Sequence, residues 1–185
     1  MEQNLTNLLI EKLKNIGFDD FYNEATFQFK LLMQLSKNFN ENLIFPERNI
    51  EYYKLNSKEY TKKVVDIILE NVNNKNIAIE LKMPMNGQVP EQMFKFVEDI
   101  KFLEELKESK IFHKCYLIVV TNDTKFWEGI KKDGIYAYFR DRNYLNGKIY
   151  KPTGENENIY YKLNGKYIVE WKVLENNFRY FIIEI

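Results

Sequence analysis

Two carboxylates and a lysine interrupt two neighbouring apolar segments of the sequence. Asp66 lies in the segment 64–69, and Glu80 and Lys82 lie in the segment 77–82. Carboxylate oxygens suit a hard divalent cation such as Mg2+, which keeps several water molecules and accepts phosphate oxygens to complete its octahedral shell. A lysine beside such a cation can orient an attacking water molecule or stabilise negative charge on the phosphate. These residue types therefore indicate a Mg2+ site, with Mn2+ as a substitute, that acts on a phosphate group.

The spacing of these residues predicts that they share one side of a β-hairpin. Both segments are rich in β-branched residues, and the polar segment 71–76 between them predicts a turn centred near Asn73. Asp66 and Glu80 lie equally far from Asn73, so an antiparallel hairpin places them opposite each other. Lys82 joins the same side because side chains alternate along a strand. Opposed like charges destabilise a sheet by up to about 1 kcal/mol, and a cation between them turns that repulsion into binding.

The elements around this hairpin predict a mixed sheet flanked by helices. Leucines at helical spacing precede Gly17, a second helix is expected over 22–39, and Pro90 is a good first residue for a long amphipathic helix. On that helix, Glu98 and Asp99 are expected to face solvent. Further helix is expected at 126–131, strands at 49–55, 61–69, 77–82, 116–120, 135–139, near 149, 166–174 and 178–184, and hairpin turns at Asn146-Gly147 and Asn164-Gly165.

Length and hydropathy limit the class of protein. A chain of 185 residues with 45% apolar residues has the size of one domain, and we expect one domain over 1–185. Its core is expected at about 22–120, followed by a β-rich extension at about 121–185. The longest apolar runs are far shorter than the ~20 residues that span a bilayer. The start of the sequence lacks the features of a signal peptide, so the prediction is a cytoplasmic protein without a membrane partner.

The scarcity of histidine and cysteine narrows the chemistry further. His113 and Cys115 are the single residues of their types, which excludes an internal disulfide and a cysteine-rich zinc site. A catalytic pair of the two is a weaker interpretation than a structural role at the start of a strand. A bound metal must therefore be held by oxygen ligands.

The charge balance bears on the partner. The chain has 27 basic and 27 acidic residues, and this neutrality counts mildly against nucleic acid, although a local basic face can still bind it. A cluster that contains Lys62 and Lys63 is expected to be solvated surface. Aromatic residues after 121 can fill a second small core or stack on unpaired bases.

The pattern of Asp66 followed by Glu80-Leu81-Lys82, with apolar strands before it and a helix after it, resembles the PD-(D/E)XK nuclease superfamily, which includes restriction endonucleases. The proline of the motif name is replaced by Val65. The resemblance implies an α/β/α sandwich with a central mixed β-sheet, here with extra C-terminal β-hairpins. It also implies metal-dependent hydrolysis of phosphodiester bonds, with Asp66 and Glu80 as metal ligands and Lys82 serving the nucleophilic water.

The same resemblance implies roles for two flanking residues. Glu24, on the second helix, corresponds to a glutamate that completes the metal shell in many members; the alternative is a first-turn glutamate favoured by the helix dipole. Gln92 corresponds to a glutamine that opens the helix after the lysine in some members. Gln88 competes with Gln92 for that role, and both can be ordinary helix-start residues.

Three functions remain open from the sequence. The first is a Mg2+-dependent endonuclease that cleaves DNA, with a bacterial restriction or defence role and a possible homodimer, because cutting both strands usually needs two sites. The second is a catalytically silent module of the same fold that binds nucleic acid or a protein partner. The third is an unrelated α+β protein in which the motif is a coincidence.

Overall fold

A computed structural model describes residues 5–18, 23–85, 87–153, 158–175 and 177–185. The first half of the chain contains α1 (Leu5–Lys14), α2 (Glu24–Leu35), β1 (Ile44–Asn49), β2 (Val64–Val72), β3 (Lys75–Lys82) and α3 (Val89–Glu108). The second half contains β4 (Phe112–Thr121), α4 (Tyr136–Arg140), β5 (Leu145–Tyr150), β6 (Tyr160–Tyr167), β7 (Lys172–Val173) and β8 (Arg179–Glu184). The predicted start of the second helix at Tyr22 lies outside the described residues.

The strands form a six-stranded mixed sheet and a separate two-stranded sheet. The order in the large sheet is β1-β2-β3-β4-β8-β7, and β5 pairs with β6 in the small one. Strand β4 runs parallel to β3, with α3 as the connection between them, and the other pairs of the large sheet are antiparallel. The mixed α/β class with a central mixed sheet is therefore confirmed.

Apolar side chains are buried on both faces of this sheet. On one face, Leu9 of α1 and Phe27 of α2 are buried in a cluster with Ile67 and Ile79. On the other face, the apolar stripe of α3 is buried in a second cluster together with Ile68 and side chains of β4. Alternation along each strand sends successive side chains to opposite clusters, an arrangement compatible with an α/β sandwich.

The β2–β3 hairpin has the register that its sequence predicts. Ile67 pairs with Ile79 and Ile68 pairs with Ala78, so the next step along the ladder places Asp66 opposite Glu80. The turn is made by Asn73 and Asn74, whose φ angles are 52° and 62°. Asparagine tolerates this left-handed region better than most residues, which makes the turn compatible with a tight hairpin.

The predicted strand at 49–55 is wrong. The strand lies earlier, at β1, and Ile50–Tyr53 form a 3-10 turn that is capped by the side chain of Asn49. Pro46 is part of this strand because β1 lies at the edge of the sheet and pairs only with β2. A proline lacks the N–H that a central strand would need, but an edge strand accommodates it.

Several local predictions in the C-terminal part are also wrong. The helix expected at 126–131 is replaced by a 3-10 turn at Thr124–Phe126, and residues 127–131 are not helical. The segment 135–139 belongs to helix rather than strand, because Ile135 and Phe139, four residues apart, are both buried in the core. The hairpin turn expected at Asn146-Gly147 is wrong, because both residues lie inside β5. Gly147 is at a bulge of this strand and has a φ of 68°. Asn164 and Gly165 lie inside β6, where both backbone N–H groups donate to the Glu104 carboxylate instead of forming a turn.

Across the described ranges of the chain, no helix is both long enough and apolar enough to cross a membrane.

Candidate active site

Asp66 and Glu80 meet across the hairpin, as the spacing predicts. The backbone N–H of Asp66 donates to Glu80 Oε1 over 3.4 Å, and Asp66 Oδ2 accepts from the backbone N–H of Leu81 over 2.7 Å. These bonds continue the hairpin beyond its last paired strand residues. Each carboxylate thus accepts a hydrogen bond from the backbone of the opposite strand, and Glu80 is joined through Lys62 to Asp99 on α3.

The Lys62 ammonium lies between two buried carboxylates. It donates to Glu80 Oε2 and lies 2.8 Å from Asp99 Oδ1. The side chains of Glu80 and Asp99 are 0% and 1% exposed, whereas that of Lys62 is 25% exposed. Burying an unpaired carboxylate is very costly, so the Lys62 ammonium offsets part of the cost of withdrawing both acids from water.

The ionisation of these groups reflects their burial and their mutual repulsion. Burial raises the pKa of Glu80 well above its usual range, and the nearby Asp66 and Asp99 raise it further. Burial also raises the pKa of Asp66 to about 6, although Lys82 opposes that rise. Burial alone would lower the pKa of Lys62, but Asp99 and Glu80 outweigh it and raise the pKa above the ordinary lysine value.

Lys82 is held by acidic partners on two helices. Its Nζ atom lies 3.4 Å from Glu24 Oε1 and 3.5 Å from Asp99 Oδ2, and it donates to the Leu81 carbonyl over 2.9 Å. Burial opposes the charged form of Lys82, but Asp99 and Glu24 raise its pKa. The lysine is therefore charged, and its acidic partners are Glu24 on α2 and Asp99 on α3.

Glu24 lies at the N-terminus of α2, where its position is fixed from two sides. Asn23 caps the helix by accepting from the Thr26 N–H over 2.9 Å, and Glu24 Oε2 accepts from the Met83 N–H over 3.0 Å. Its other oxygen contacts Lys82. The structure thus brings Glu24 to the lysine of the motif rather than into contact with Asp66 or Glu80.

Asp99 and Lys62 belong to the site but are absent from the sequence-based set. The prediction that Asp99 faces solvent is wrong, and so is the prediction that Lys62 is solvated surface. Asp99 lies three residues after Phe96 and four before Leu103, both fully buried, so helical spacing alone could have indicated its burial. For Lys62 the local sequence carries no comparable signal, because its partners lie on other elements.

Gln92 and Gln88 stay apart from the carboxylates. Gln88 precedes the first residue of α3, and its carbonyl accepts from the Gln92 N–H over 3.0 Å. In the part of the chain that the structure describes, neither side chain hydrogen-bonds to Asp66, Glu80 or Lys82. Their predicted role at the site stays a prediction.

Asp66 and Glu24 line an open cleft of about 360 Å3 between α2, β1 and the hairpin. Gln28 spans this cleft, because its Nε2 donates to the Asp66 carbonyl over 2.8 Å and to Glu47 Oε1 over 2.7 Å. A larger cleft of about 810 Å3 lies beside Asn73 at the opposite end of the hairpin and shares no residue with the first. The smaller cleft thus opens Asp66 to solvent, whereas the Glu80 side chain is 0% exposed and is not part of its lining.

The oxygen donors of Asp66 and Glu80 are of the kind that Mg2+ prefers. The two carboxylates would supply two hard oxygen ligands, and Mg2+ is commonly bound through one or two carboxylates plus water and phosphate. Asp99 Oδ2 is buried without a hydrogen bond, so the cluster has unused acceptor capacity. Among the described residues, no three histidine, cysteine, aspartate or glutamate side chains are close enough to form a complete metal shell. The residues therefore fit a two-carboxylate site rather than a closed protein cage.

His113 and Cys115, for which the sequence favours a structural role over a catalytic pair, differ in exposure. Cys115 is fully buried, and burial raises the pKa of its thiol to about 12, whereas His113 is exposed. A buried thiol with a raised pKa is not a nucleophile at neutral pH.

Comparisons of the chain with models of known protein families, with curated proteins and with solved structures give no match. The function of the chain therefore has to be inferred from the geometry of this site.

Removing the Lys62 ammonium should destabilise the fold strongly. Lys62→Met removes the cation that contacts Glu80 and leaves Asp99 with Lys82 at 3.5 Å, and breaking such a buried pair costs about 3–5 kcal/mol. The free energy of unfolding is measured by urea denaturation with EDTA present. The matched control is Lys63→Met, an exposed neighbour, which should change stability by no more than about 0.5 kcal/mol. Equal stability of the two variants would contradict the role of Lys62.

The raised pKa of Asp66 predicts a specific dependence of stability on pH. The folded state binds the Asp66 proton more tightly than the unfolded state, whose pKa is 3.8. This contribution to stability is fully present below pH 3.8 and is lost as the pH rises through about 6. Asp66→Asn keeps an uncharged group, so its stability relative to wild type should rise across that window and then level off. A difference that does not change between pH 4 and pH 7 would show that Asp66 is not desolvated.

Proposed function

We propose that this chain is a Mg2+-dependent endonuclease that hydrolyses phosphodiester bonds of DNA, with the restriction endonuclease-like fold of the PD-(D/E)XK superfamily. The observation that carries the proposal is the convergence of Asp66 and Glu80 across one hairpin, with the charged Lys82 on the same strand. A bacterial restriction or defence role and a homodimeric form belong to the same proposal.

Each residue of the site has a distinct task in this mechanism. Asp66 and Glu80 would hold the cation, and Mg2+ when bound would polarise the phosphate and lower the pKa of a coordinated water. Lys82 would orient the attacking water and stabilise the charge that develops on the phosphate. Glu24 and Asp99 position Lys82 by ion pairing from the two flanking helices.

Lys62 would give up its bond to Glu80 Oε2 when that carboxylate binds a divalent cation, because two cations held by one carboxylate repel each other. The lysine side chain is partly exposed, so it can move outward without unfolding the sheet. Asp99 remains as its partner after this movement. The cluster thus exchanges one cation for another at Glu80.

Cleavage should depend on the three residues of the motif. With Mg2+ or Mn2+, wild-type protein is expected to cut DNA, and Asp66→Ala or Lys82→Ala should lower the rate at least about 100-fold, as loss of one electrostatic group at an active site typically does. The matched control is Lys101→Ala, which removes a lysine of similar exposure that pairs with Glu105 on α3. Circular dichroism verifies that the variants fold. Failure of the wild type to cut any DNA or RNA with either metal would contradict the proposal.

The second candidate function is a catalytically silent module that binds nucleic acid or a protein partner. The observation that favours it is the Lys62 ammonium, which satisfies Glu80 and Asp99 without a metal ion. In that case the buried ion cluster is a permanent part of the core.

Calorimetric titration with Mn2+ separates the two candidates. The nuclease proposal predicts binding that is lost in Asp66→Asn and in Glu80→Gln. It also predicts tighter binding at pH 8 than at pH 5.5, because both ligands have raised pKa values and must lose protons to bind a metal. Absence of Mn2+ binding, or binding that survives both substitutions, would favour the silent module.

A further inference from the structure

The hairpin of β5 and β6 has two chemically different faces. Side chains that point inward, such as Ile149 and Leu163, are buried in the core that α3 also lines. The other side of the hairpin is exposed and is called the outer face here. It consists of Tyr144, Lys148, Tyr150, Tyr160, Lys162 and Lys166.

The outer face has positive charge without acidic neighbours on its own strands. Lys148 lies directly opposite Lys162 in the strand pairing, an arrangement that destabilises a sheet unless an anion is nearby. Neither β5 nor β6 contains an aspartate or glutamate. Acidic side chains lie on the inner side, where Glu98 accepts from the Tyr161 hydroxyl and Glu104 accepts from the Tyr167 hydroxyl. A neutral chain therefore still presents a local basic surface.

Tyrosine rings lie between these lysines with their surfaces open to solvent. Tyr144, Tyr150 and Tyr160 are 51%, 50% and 42% exposed. Tyr150 and Tyr160 face each other across the strands with ring centroids 5.3 Å apart. Lys148 Nζ lies 4.5 Å from the Tyr160 ring centroid, and Lys166 Nζ lies 4.0 Å from that of Tyr144. The rings of Tyr144 and Tyr160 are thus each next to a lysine that can bind a phosphate, and Tyr150 adjoins the ring of Tyr160.

We propose that the outer face binds single-stranded nucleic acid, with lysines on the phosphates and tyrosines stacked on the bases. Surfaces that bind unpaired strands without sequence preference combine these same two features. A duplex keeps its bases stacked on each other, so it could use the lysines but not the rings. An acidic protein or an anionic membrane could also contact the rings, and the test below therefore includes both.

This inference rests on the proposed function for its choice of nucleic acid as the partner, and it names the strand state that the chain would engage. The outer face belongs to the layer that covers α3, and it shares no residue with the cleft beside Asp66. It would hold an unpaired strand while the cleft acts on a phosphodiester.

The test is fluorescence anisotropy with a labelled oligothymidylate in EDTA, so that no cleavage occurs, using a strand longer than one site of ~4–16 nucleotides. Wild type should bind it at least about tenfold more tightly than a duplex of equal length, because only the strand gains base stacking. Tyr150→Leu and Tyr160→Leu should each weaken binding roughly tenfold. Lys148→Gln/Lys162→Gln should lower the slope of log K against log salt by about 1.4, from ~0.7 per phosphate contact.

The matched control is Lys14→Gln/Lys37→Gln, which removes two exposed lysines from the helical layer on the opposite face of the large sheet. It should leave both affinity and salt slope at the wild-type values. Circular dichroism of the tyrosine and lysine variants verifies that they keep the secondary structure of the wild type.

The inference is overturned if wild type fails to bind the strand, or if the tyrosine and lysine variants bind like the control. It is also overturned if polyglutamate or anionic vesicles bind at least as well as the strand. The outcome is separable from the proposed function. Cleavage with unchanged binding in the outer-face variants would reject this surface alone, whereas binding at the outer face without cleavage under Mg2+ or Mn2+ would reject the nuclease alone.

Discussion

The site depends on one electrostatic constraint, which is that two buried carboxylates need a cation. Glu80 on β3 and Asp99 on α3 are both withdrawn from water, and the Lys62 ammonium lies between them. Without it, Glu80 would lose the cation that contacts it and Asp99 would keep Lys82 at 3.5 Å, so burying the two acids would cost more free energy. Lys62 thereby joins the loop before β2 to both β3 and α3.

A second buried carboxylate in the same helix meets the constraint differently. Glu104 is 4% exposed and accepts hydrogen bonds from the Asn164 and Gly165 backbone N–H groups and from the Tyr167 hydroxyl. These donors are neutral and belong to β6, so Glu104 fastens the small sheet to α3. Glu80, in contrast, is neutralised by a partly exposed side chain that can move. We therefore propose that Glu80, unlike Glu104, can exchange one cation for another.

The sequence predicted the parts of the site that depend on local periodicity. Alternation and the polar turn were enough to place Asp66 opposite Glu80, and the observed register agrees. A charged residue on a helix is usually exposed, which favours a solvent-facing position for Asp99, although its spacing from Phe96 indicates the buried side of α3. The partnership of Lys62 with Glu80 and Asp99 could not be predicted, because it depends on how a loop packs against two separate elements.

The C-terminal errors have a related cause. Asn164-Gly165 has the composition of a turn, but the Glu104 carboxylate offers its backbone N–H groups partners within a strand. The segment 135–139 has strand-like composition, but burial of Ile135 and Phe139 against the core favours a helical turn. Tertiary contacts override local preference in both cases. The aromatic residues of this part divide accordingly, with Phe139 in the core and Tyr160 exposed.

We propose that Asp66 and Glu80 hold a divalent cation that takes the place of the Lys62 ammonium at Glu80. Crystals grown with Mn2+ and measured at a wavelength where manganese scatters anomalously would reveal this cation. One anomalous peak is expected within bonding distance of an oxygen of each carboxylate, with Lys62 Nζ withdrawn from Glu80 and still beside Asp99. A map with no peak between Asp66 and Glu80, and with Lys62 still bonded to Glu80, would contradict it.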